Sequence, residues 1–261
     1  MMSIDKIVNL REHPLTDSKK FIKSCNEKLT KKSVLQLNNF LNNQAISELQ
    51  KEAKELHKNA YYCSQLHTIF LNKKDQKILE NDPCNIEVKS DKGCVPHDKI
   101  PPHSYLNQLY NSIDFKYFLT KVLGIKKIYK YKDNLSSINY NYYEKHQQLG
   151  WHFDNASFAI TLMIDSPDKG GAFQYIAEGR DYQKNIIDKE LISNVMKGKI
   201  TPNELKVNPG TLILFYGRNY LHRVTPIESN KGRILVTLNY NLEEGVELSE
   251  NARRIFFGRV K

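Results

Sequence analysis

His152 and Asp154 stand one residue apart in "LGWHFDNASFAITLMI" (Leu149 to Ile164), just ahead of an apolar run. In an extended segment successive side chains alternate sides, so these two face one way while Phe153 faces the other. A strand end of this kind can offer an imidazole and a carboxylate to one metal ion. The third ligand has to come from elsewhere. From Ile125 onward the only other histidines are His146 and His222. His146, in the polar loop "EKHQQLG", reads as a surface residue. His222 lies in "VNPGTLILFYGRNYLHRVTPI", where a Pro-Gly turn launches an apolar strand and the chain then loops out to the imidazole.

Two imidazoles and a carboxylate leave three adjacent positions open on an octahedral ion, the pattern of non-haem Fe(II) oxygenation chemistry. Zinc accepts the same ligand types, and an isolated HxD or a lone His is weak evidence by itself. Arg233 adds weight. It lies eleven residues beyond His222, after the turn "ESNKG", at the start of "RILVTLNYN". A strand starting there would carry a fixed cation into the same space. A guanidinium grips a carboxylate through two parallel hydrogen bonds, which suits a dicarboxylic 2-oxo acid chelating the metal at its other end. Arg223, next to His222, is a poor ligand; it reads as an outer-shell group or a solvent-exposed Arg at a strand edge.

Positioning these groups requires several separated strands. From about Ile125 the chain supplies short β-type runs, "KKIYKYK", "SSINYNYYEK", "SFAITLMID", "GAFQYI", "GTLILFYG" and "RILVTLNYN". Turn signals separate them at Pro167–Gly171, Asn208–Gly210 and Asn230–Gly232. A polar, helix-like insertion is expected at about Lys184 to Lys199. Residues up to about Phe70 read as helical, with Val34, Leu35, Leu37, Phe40, Leu41, Ile46 and Leu49 at roughly helical spacing. Pro83, Pro96, Pro101 and Pro102 punctuate a polar connection, and "SYLNQLYNSIDFKYFLTKVLG" resumes a helix that Gly124 would stop. The expectation is one domain, 1–261, of α+β class with a mainly β core: helical support over 1–124, a sandwich or barrel over 125–245, and a C-terminal segment, 246–261, able to act as a lid.

Composition sets outer bounds. The 261 residues carry a net charge of +10, with fifteen Tyr, eleven Phe and one Trp. So many aromatics argue against disorder, and the Lys residues are interleaved with acids rather than gathered into a stripe that would track nucleic acid. Cys25, Cys63, Cys84 and Cys94 form no CxxC; even with His97 and His103 their spacing fits no common structural zinc motif, and they read as free thiols. The N-terminus lacks the apolar core of a secretory signal, so a cytoplasmic protein without membrane association is expected.

The order HxD, "GG", "PGTLILF", "HRVTP", Arg resembles the Fe(II)/2-oxoglutarate-dependent dioxygenases over about Ser137 to Asn241, and implies a double-stranded β-helix, or jelly roll. The wording "LGWHFDNASFAITLMI", "FYGRNYLHRVTP" and "LSENARRIFFGR" resembles a narrower group, extending the likeness to about Arg259. These are the radical halogenases of free amino acids, lysine above all, and their hydroxylase relatives. The resemblance implies Fe(II) on His152, Asp154 and His222, 2-oxoglutarate on Arg233, and O2 as the oxidant. In the halogenases the carboxylate position is Gly or Ala, which vacates a site for chloride. Asp154 fills it here, so the resemblance implies hydroxylation of an unactivated C–H of a free L-amino acid.

Substrate contacts are read from alternation. Leu235, Thr237 and Asn239 share the face of Arg233, making Thr237 and Asn239 the nearest polar candidates. Asn155, beside Asp154, is a contact or a turn residue. Trp151 lines the site or packs in the core, and Glu144 pairs with a substrate ammonium or with solvent. In "SSINYNYYEK" the inward face is either Asn139, Asn141 and Tyr143 or Tyr140 and Tyr142. From the tail, Phe257, with Phe256 and Arg253 or Arg254, would meet the substrate if the segment closes over the site; otherwise the two Phe dock the terminus. Two alternatives stay open: a protein or peptide hydroxylase of the prolyl-hydroxylase type, and a non-catalytic basic jelly-roll binding module.

Overall fold

The computed structural model describes residues 4–261. Helix α1 (Lys19–Lys32) starts where Ser18 Oγ accepts the Phe21 N–H and ends at Ser33, which adopts a left-handed conformation (φ 64°). That break releases the apolar residues behind it into strand β1 (Val34–Leu37). Helix α2 (Asn43–Leu56), capped by Asn42, leads to strands β2 (Tyr61–His67) and β3 (Val88–Val95). Helices α3 (Tyr105–Asn111) and α4 (Ile113–Leu123) meet at Ser112, and Gly124 stops α4 in the left-handed region as expected.

The helical support read for 1–124 is thus corrected in two places. The reading of residues up to about Phe70 as helical fails at β1 and β2, and the "polar connection" contains β3. Pairing supplied what periodicity could not. Val34–Leu37 lies antiparallel to residues 212–215, and β2 pairs with β3 along its length.

The rest follows as β4 (Tyr129–Lys130), β5 (Ile138–Tyr143), β6 (Leu149–His152), β7 (Ala159–Asp165), β8 (Phe173–Asp181), β9 (Ile186–Ile187), α5 (Lys189–Met196), β10 (Asn203–Leu205), β11 (Leu212–Phe215), β12 (Tyr220–Val224), β13 (Arg233–Leu238), β14 (Tyr240–Asn241) and α6 (Glu250–Phe257). The expected insertion helix is present as the shorter α5. Strands run in the order β1-β11-β7-β13-β5-β3-β6-β12-β8-β10. Among the described residues, strand pairing joins the stretch β1-β11-β7-β13-β5-β3 to the stretch β6-β12-β8-β10 through the single bridge Ser90–Leu149. Residues from both line one cavity, the double-stranded β-helix arrangement.

The helical layer packs on the outer face of the larger stretch. The Tyr140 hydroxyl donates to Glu52 of α2 at 2.8 Å, and the Tyr142 hydroxyl donates to the Ala53 carbonyl at 2.8 Å. Both tyrosines are buried in the main apolar cluster with Leu49, Phe118, Leu162 and Val236. Because sides alternate, Asn139, Asn141 and Tyr143 turn the other way, and Asn141 and Tyr143 line the cavity. Among the described residues no helix is long and apolar enough to cross a membrane.

Candidate metal centre and its cavity

The antiparallel register of β6 and β12 sets His152 directly opposite His222. Their ring centroids lie 4.1 Å apart, and both residues are buried. The Nδ1 of His152 is 2.8 Å from the Gly150 carbonyl, and that of His222 is 2.9 Å from the Tyr220 carbonyl. A carbonyl only accepts, so each Nδ1 carries the proton and each Nε2 keeps its lone pair. Both Nε2 atoms lie 3.5 Å from Asp154 Oδ1. Right-angled bonds of about 2.1 Å to one ion would separate its ligand atoms by about 3 Å, near this spacing. His152, Asp154 and His222 form the one such cluster among the described residues.

Asp154 sits just past β6, where its N–H donates to the Gly217 carbonyl at 3.0 Å. Its Oδ2 is buried and has no hydrogen-bond partner among the described residues. Burial alone would raise this carboxyl, but the two imidazoles hold it well below the usual carboxylate range. Burial, then the proximity of His222, pushes His152 down to about 4. Near neutral pH the cluster therefore holds an anionic carboxylate and, at His152, a neutral imidazole, as metal ligation requires. An orphaned carboxylate oxygen beside two aimed nitrogen lone pairs fits a divalent ion.

Arg233 is fully buried at 2% exposure. It faces Tyr143 across β13 and β5, with its guanidinium 5.4 Å from that ring. Among the described residues its Nε and Nη1 have no hydrogen-bond partner and no carboxylate pairs with it. Burial lowers its pKa, with partial compensation from Tyr143. A buried, unpaired guanidinium is costly unless a ligand completes it. The cavity of about 220 Å³ that it lines also contains His152, Asp154, His222 and Thr237.

Three other expected contacts lie elsewhere. Asn239 does not line the cavity; its Nδ2 donates to the Ser136 carbonyl at 2.5 Å, because the chain leaves β13 just before it. Asn155 is exposed, and its carbonyl is gripped by Arg218. Phe257 is buried with Cys94 and Leu135, whereas Phe256 lines the cavity. Arg254 is exposed and Arg253 lies 3.9 Å from Glu247. Trp151 packs in the second apolar cluster under the guanidinium of Arg223, so neither faces the cavity. Glu144 accepts from the Tyr62 hydroxyl at 2.6 Å.

Sequence reading missed the groups behind and beside the cluster. The Ser90 hydroxyl lies 2.5 Å from buried His67 Nε2, and Ser90 Oγ accepts the Gly150 N–H at 2.9 Å. Since His67 Nδ1 donates to the Thr68 carbonyl, Nε2 is the acceptor for Ser90. His67, Ser90 and Gly150 thus form a chain that ends on the N–H of the residue whose carbonyl orients His152. Lys92, on the inward face of β3, also lines the cavity. The signal was present in "VKSDKGCV" as the alternation Ser90, Lys92, Cys94.

Solved structures with this fold include a 2OG-Fe(II) oxygenase family oxidoreductase from Burkholderia pseudomallei, similar at 13% identity and TM-score 0.55 over 88% of this chain and 95% of that one. EctD from S. alaskensis, solved with 2-oxoglutarate and 5-hydroxyectoine, is similar at 16% identity and TM-score 0.56 over 87% of this chain and 77% of that one. The non-heme alpha ketoglutarate dependent carbocyclase SnoK from nogalamycin biosynthesis is similar at 11% identity and TM-score 0.57, over 90% and 95%. The fold is that of the 2-oxoglutarate–Fe(II) oxygenase class. No curated protein matches the chain in sequence. The family model described as Halogenase D matches residues 17–255, and the chain belongs to that family.

Proposed function

We propose that this protein is an Fe(II)- and 2-oxoglutarate-dependent hydroxylase of a free L-amino acid, in spite of its family's name. The observation that carries the choice of reaction is Asp154: its carboxylate lies 3.5 Å from the Nε2 atoms of both histidines, where a chloride-transferring relative needs a vacancy. On this reading His152, Asp154 and His222 hold the iron, and Arg233 receives the far carboxylate of 2-oxoglutarate through its unpartnered Nε and Nη1. Iron and 2-oxoglutarate, when bound, supply the O2-dependent oxidation of a C–H bond.

The protein's share is placement and exclusion. The carbonyls of Gly150 and Tyr220 keep the histidine lone pairs aimed, and the Ser90–His67 chain holds Gly150 by its N–H. Apolar residues such as Phe173, Ile213, Phe215 and Leu235 wall the cavity and limit water at the reacting centre. Thr237 supplies a hydroxyl on the Arg233 face. Phe256 of α6 covers the side next to β3, which favours a small molecule over an extended peptide. Lysine is the substrate to which the likeness of the motifs points, and that choice rests on the motifs alone.

The test is anaerobic loading with Fe(II), 2-oxoglutarate and the common amino acids, followed by O2 and mass spectrometry. A free amino acid gaining one oxygen, with succinate formed alongside, is expected. Oxygen appearing only in peptides would move the protein to the prolyl-hydroxylase type of reaction.

A further inference from the structure

Lys92 is the second cation of the cavity, and nothing in the reaction just proposed uses it. Its Nζ donates to Asn141 Oδ1 at 2.7 Å and stands 5.1 Å from the centre of the Phe256 ring. No carboxylate among the described residues pairs with it. The Asn141 amide is fixed with its oxygen toward the lysine. Its Nδ2 donates to the Asn139 carbonyl at 3.2 Å and to the Leu235 carbonyl at 3.4 Å, while Oδ1 also takes the Cys94 thiol at 3.2 Å. An ammonium has three donors, so two of those on Lys92 remain for a ligand.

The wall carries Lys92, Arg233 and a single carboxylate, Asp154, which lies within the histidine cluster. With Arg233 given to the co-substrate, a substrate carboxylate would find its only free cation at Lys92. A substrate's α-ammonium already finds no acidic partner outside the metal cluster, and a side-chain ammonium would add a second uncompensated positive charge. The rest of the lining is uncharged, mixing apolar residues such as Leu71, Leu149, Val224 and Phe256 with neutral polar ones such as Gln65, Ser90 and Asn141.

We infer that Lys92 binds the substrate's carboxylate and that the cavity selects amino acids whose side chains carry no positive charge, which sets lysine behind them. This rests on the hydroxylase reading and narrows its substrate class. Lys92 is then a specificity-determining residue, and Asn141 positions it.

Calorimetry on protein loaded with redox-silent Mn(II) and 2-oxoglutarate tests this without turnover. Each common amino acid is titrated, then the carboxamide of the tightest binder, into wild type, Lys92→Met and Lys92→Arg. The expected result is that uncharged side chains bind tightest. Lys92→Met should weaken them at least ~10-fold, as losing a charge-assisted hydrogen bond does, and Lys92→Arg should recover most of it. In wild type the carboxamide should bind about as poorly as the acid binds Lys92→Met, with 2-oxoglutarate affinity and Tm unchanged by either variant. Equal binding to wild type and Lys92→Met, or lysine binding tightest, overturns the inference and leaves the hydroxylase reading standing. Loss of 2-oxoglutarate affinity in Lys92→Met overturns it by assigning Lys92 to the co-substrate. If Mn(II) and 2-oxoglutarate bind but no amino acid does, the free-amino-acid reading falls with it; if neither binds, the oxygenase reading itself is what failed.

Discussion

Gly217 leaves open the space that the Asp154 carboxylate fills. A Cβ built on Gly217 would overlap Asp154 Oδ2, and the Gly217 carbonyl accepts the Asp154 N–H at 3.0 Å. The glycine in "FYGRNYLH" thus positions a carboxylate that precedes it by more than sixty residues. Gly217→Ala is expected to swing the carboxylate out of place and weaken Fe(II) binding by roughly 10- to 100-fold, the scale for losing a group that orients a ligand. Anaerobic metal titration reads this, and unchanged affinity would show that the carboxylate has room to move.

Arg233 makes the second prediction. Arg233→Met should raise the KM for 2-oxoglutarate by about 10- to 100-fold, since hydrogen bonds to a charged group contribute about 1.5–3 kcal/mol. Arg233→Lys should recover only part of the loss, because a point charge cannot replace a planar fork. A KM for 2-oxoglutarate indifferent to both changes would remove Arg233 from the co-substrate site.

The metal-free protein should lose stability on mild acidification. Buried His152 has a pKa of about 4 against an ordinary 6.5, so between those values the unfolded chain takes up a proton that the folded chain refuses. Stability therefore falls as pH drops through this window, by at most about 3 kcal/mol from His152, and that contribution levels off below it. Burial moves His67 the same way. Asp154, held low, contributes stability above the ordinary carboxylate value that is lost as pH falls further. Scanning calorimetry of the metal-free protein from pH 7 to 4 should show a falling Tm, less steep in His152→Gln. Parallel curves would mean that His152 is not buried in its neutral form.

The hydrogen-bond chain behind His152 should matter to the metal rather than to the substrate. Ser90→Ala removes the acceptor of the Gly150 N–H and the donor to His67. Fe(II) affinity is expected to fall about 10-fold. Because Ser90 also touches the cavity, the discriminating readout is metal titration without amino acid; an effect seen only on the amino acid's KM would make Ser90 a substrate contact instead.

The strands that were legible in the sequence are those with one face in the main apolar core, through Ile160, Leu162 and Ile164, Leu212 and Leu214, and Val236 and Leu238. "SFAITLMID", "GTLILF" and "RILVTL" became β7, β11 and β13, and the histidine–aspartate cluster followed from them. Strand β3 was not legible because its inward residues, Ser90 and Lys92, are polar: the side lining a ligand cavity inverts the usual pattern, and Pro83 and Pro96 framed it like a loop. Val34, Leu35 and Leu37 fit a helix as well as a strand. The left-handed Ser33 and pairing with β11 decided between them, and tertiary contacts of that kind leave little local trace. Asn239 shows the reverse error, since strict alternation carried a face one residue past the end of β13.

The central claim is that Asp154 ligates iron and thereby fixes hydroxylation as the reaction. Its most direct test runs wild type and Asp154→Gly side by side in chloride buffer with Fe(II), 2-oxoglutarate, O2 and the amino acid that wild type turns over. Mass spectrometry then reads both products. Wild type should give only the hydroxylated product, and Asp154→Gly should lose at least about 100-fold of that activity while yielding detectable chlorinated product. Undiminished hydroxylation by Asp154→Gly, or chlorination by wild type, would contradict the account.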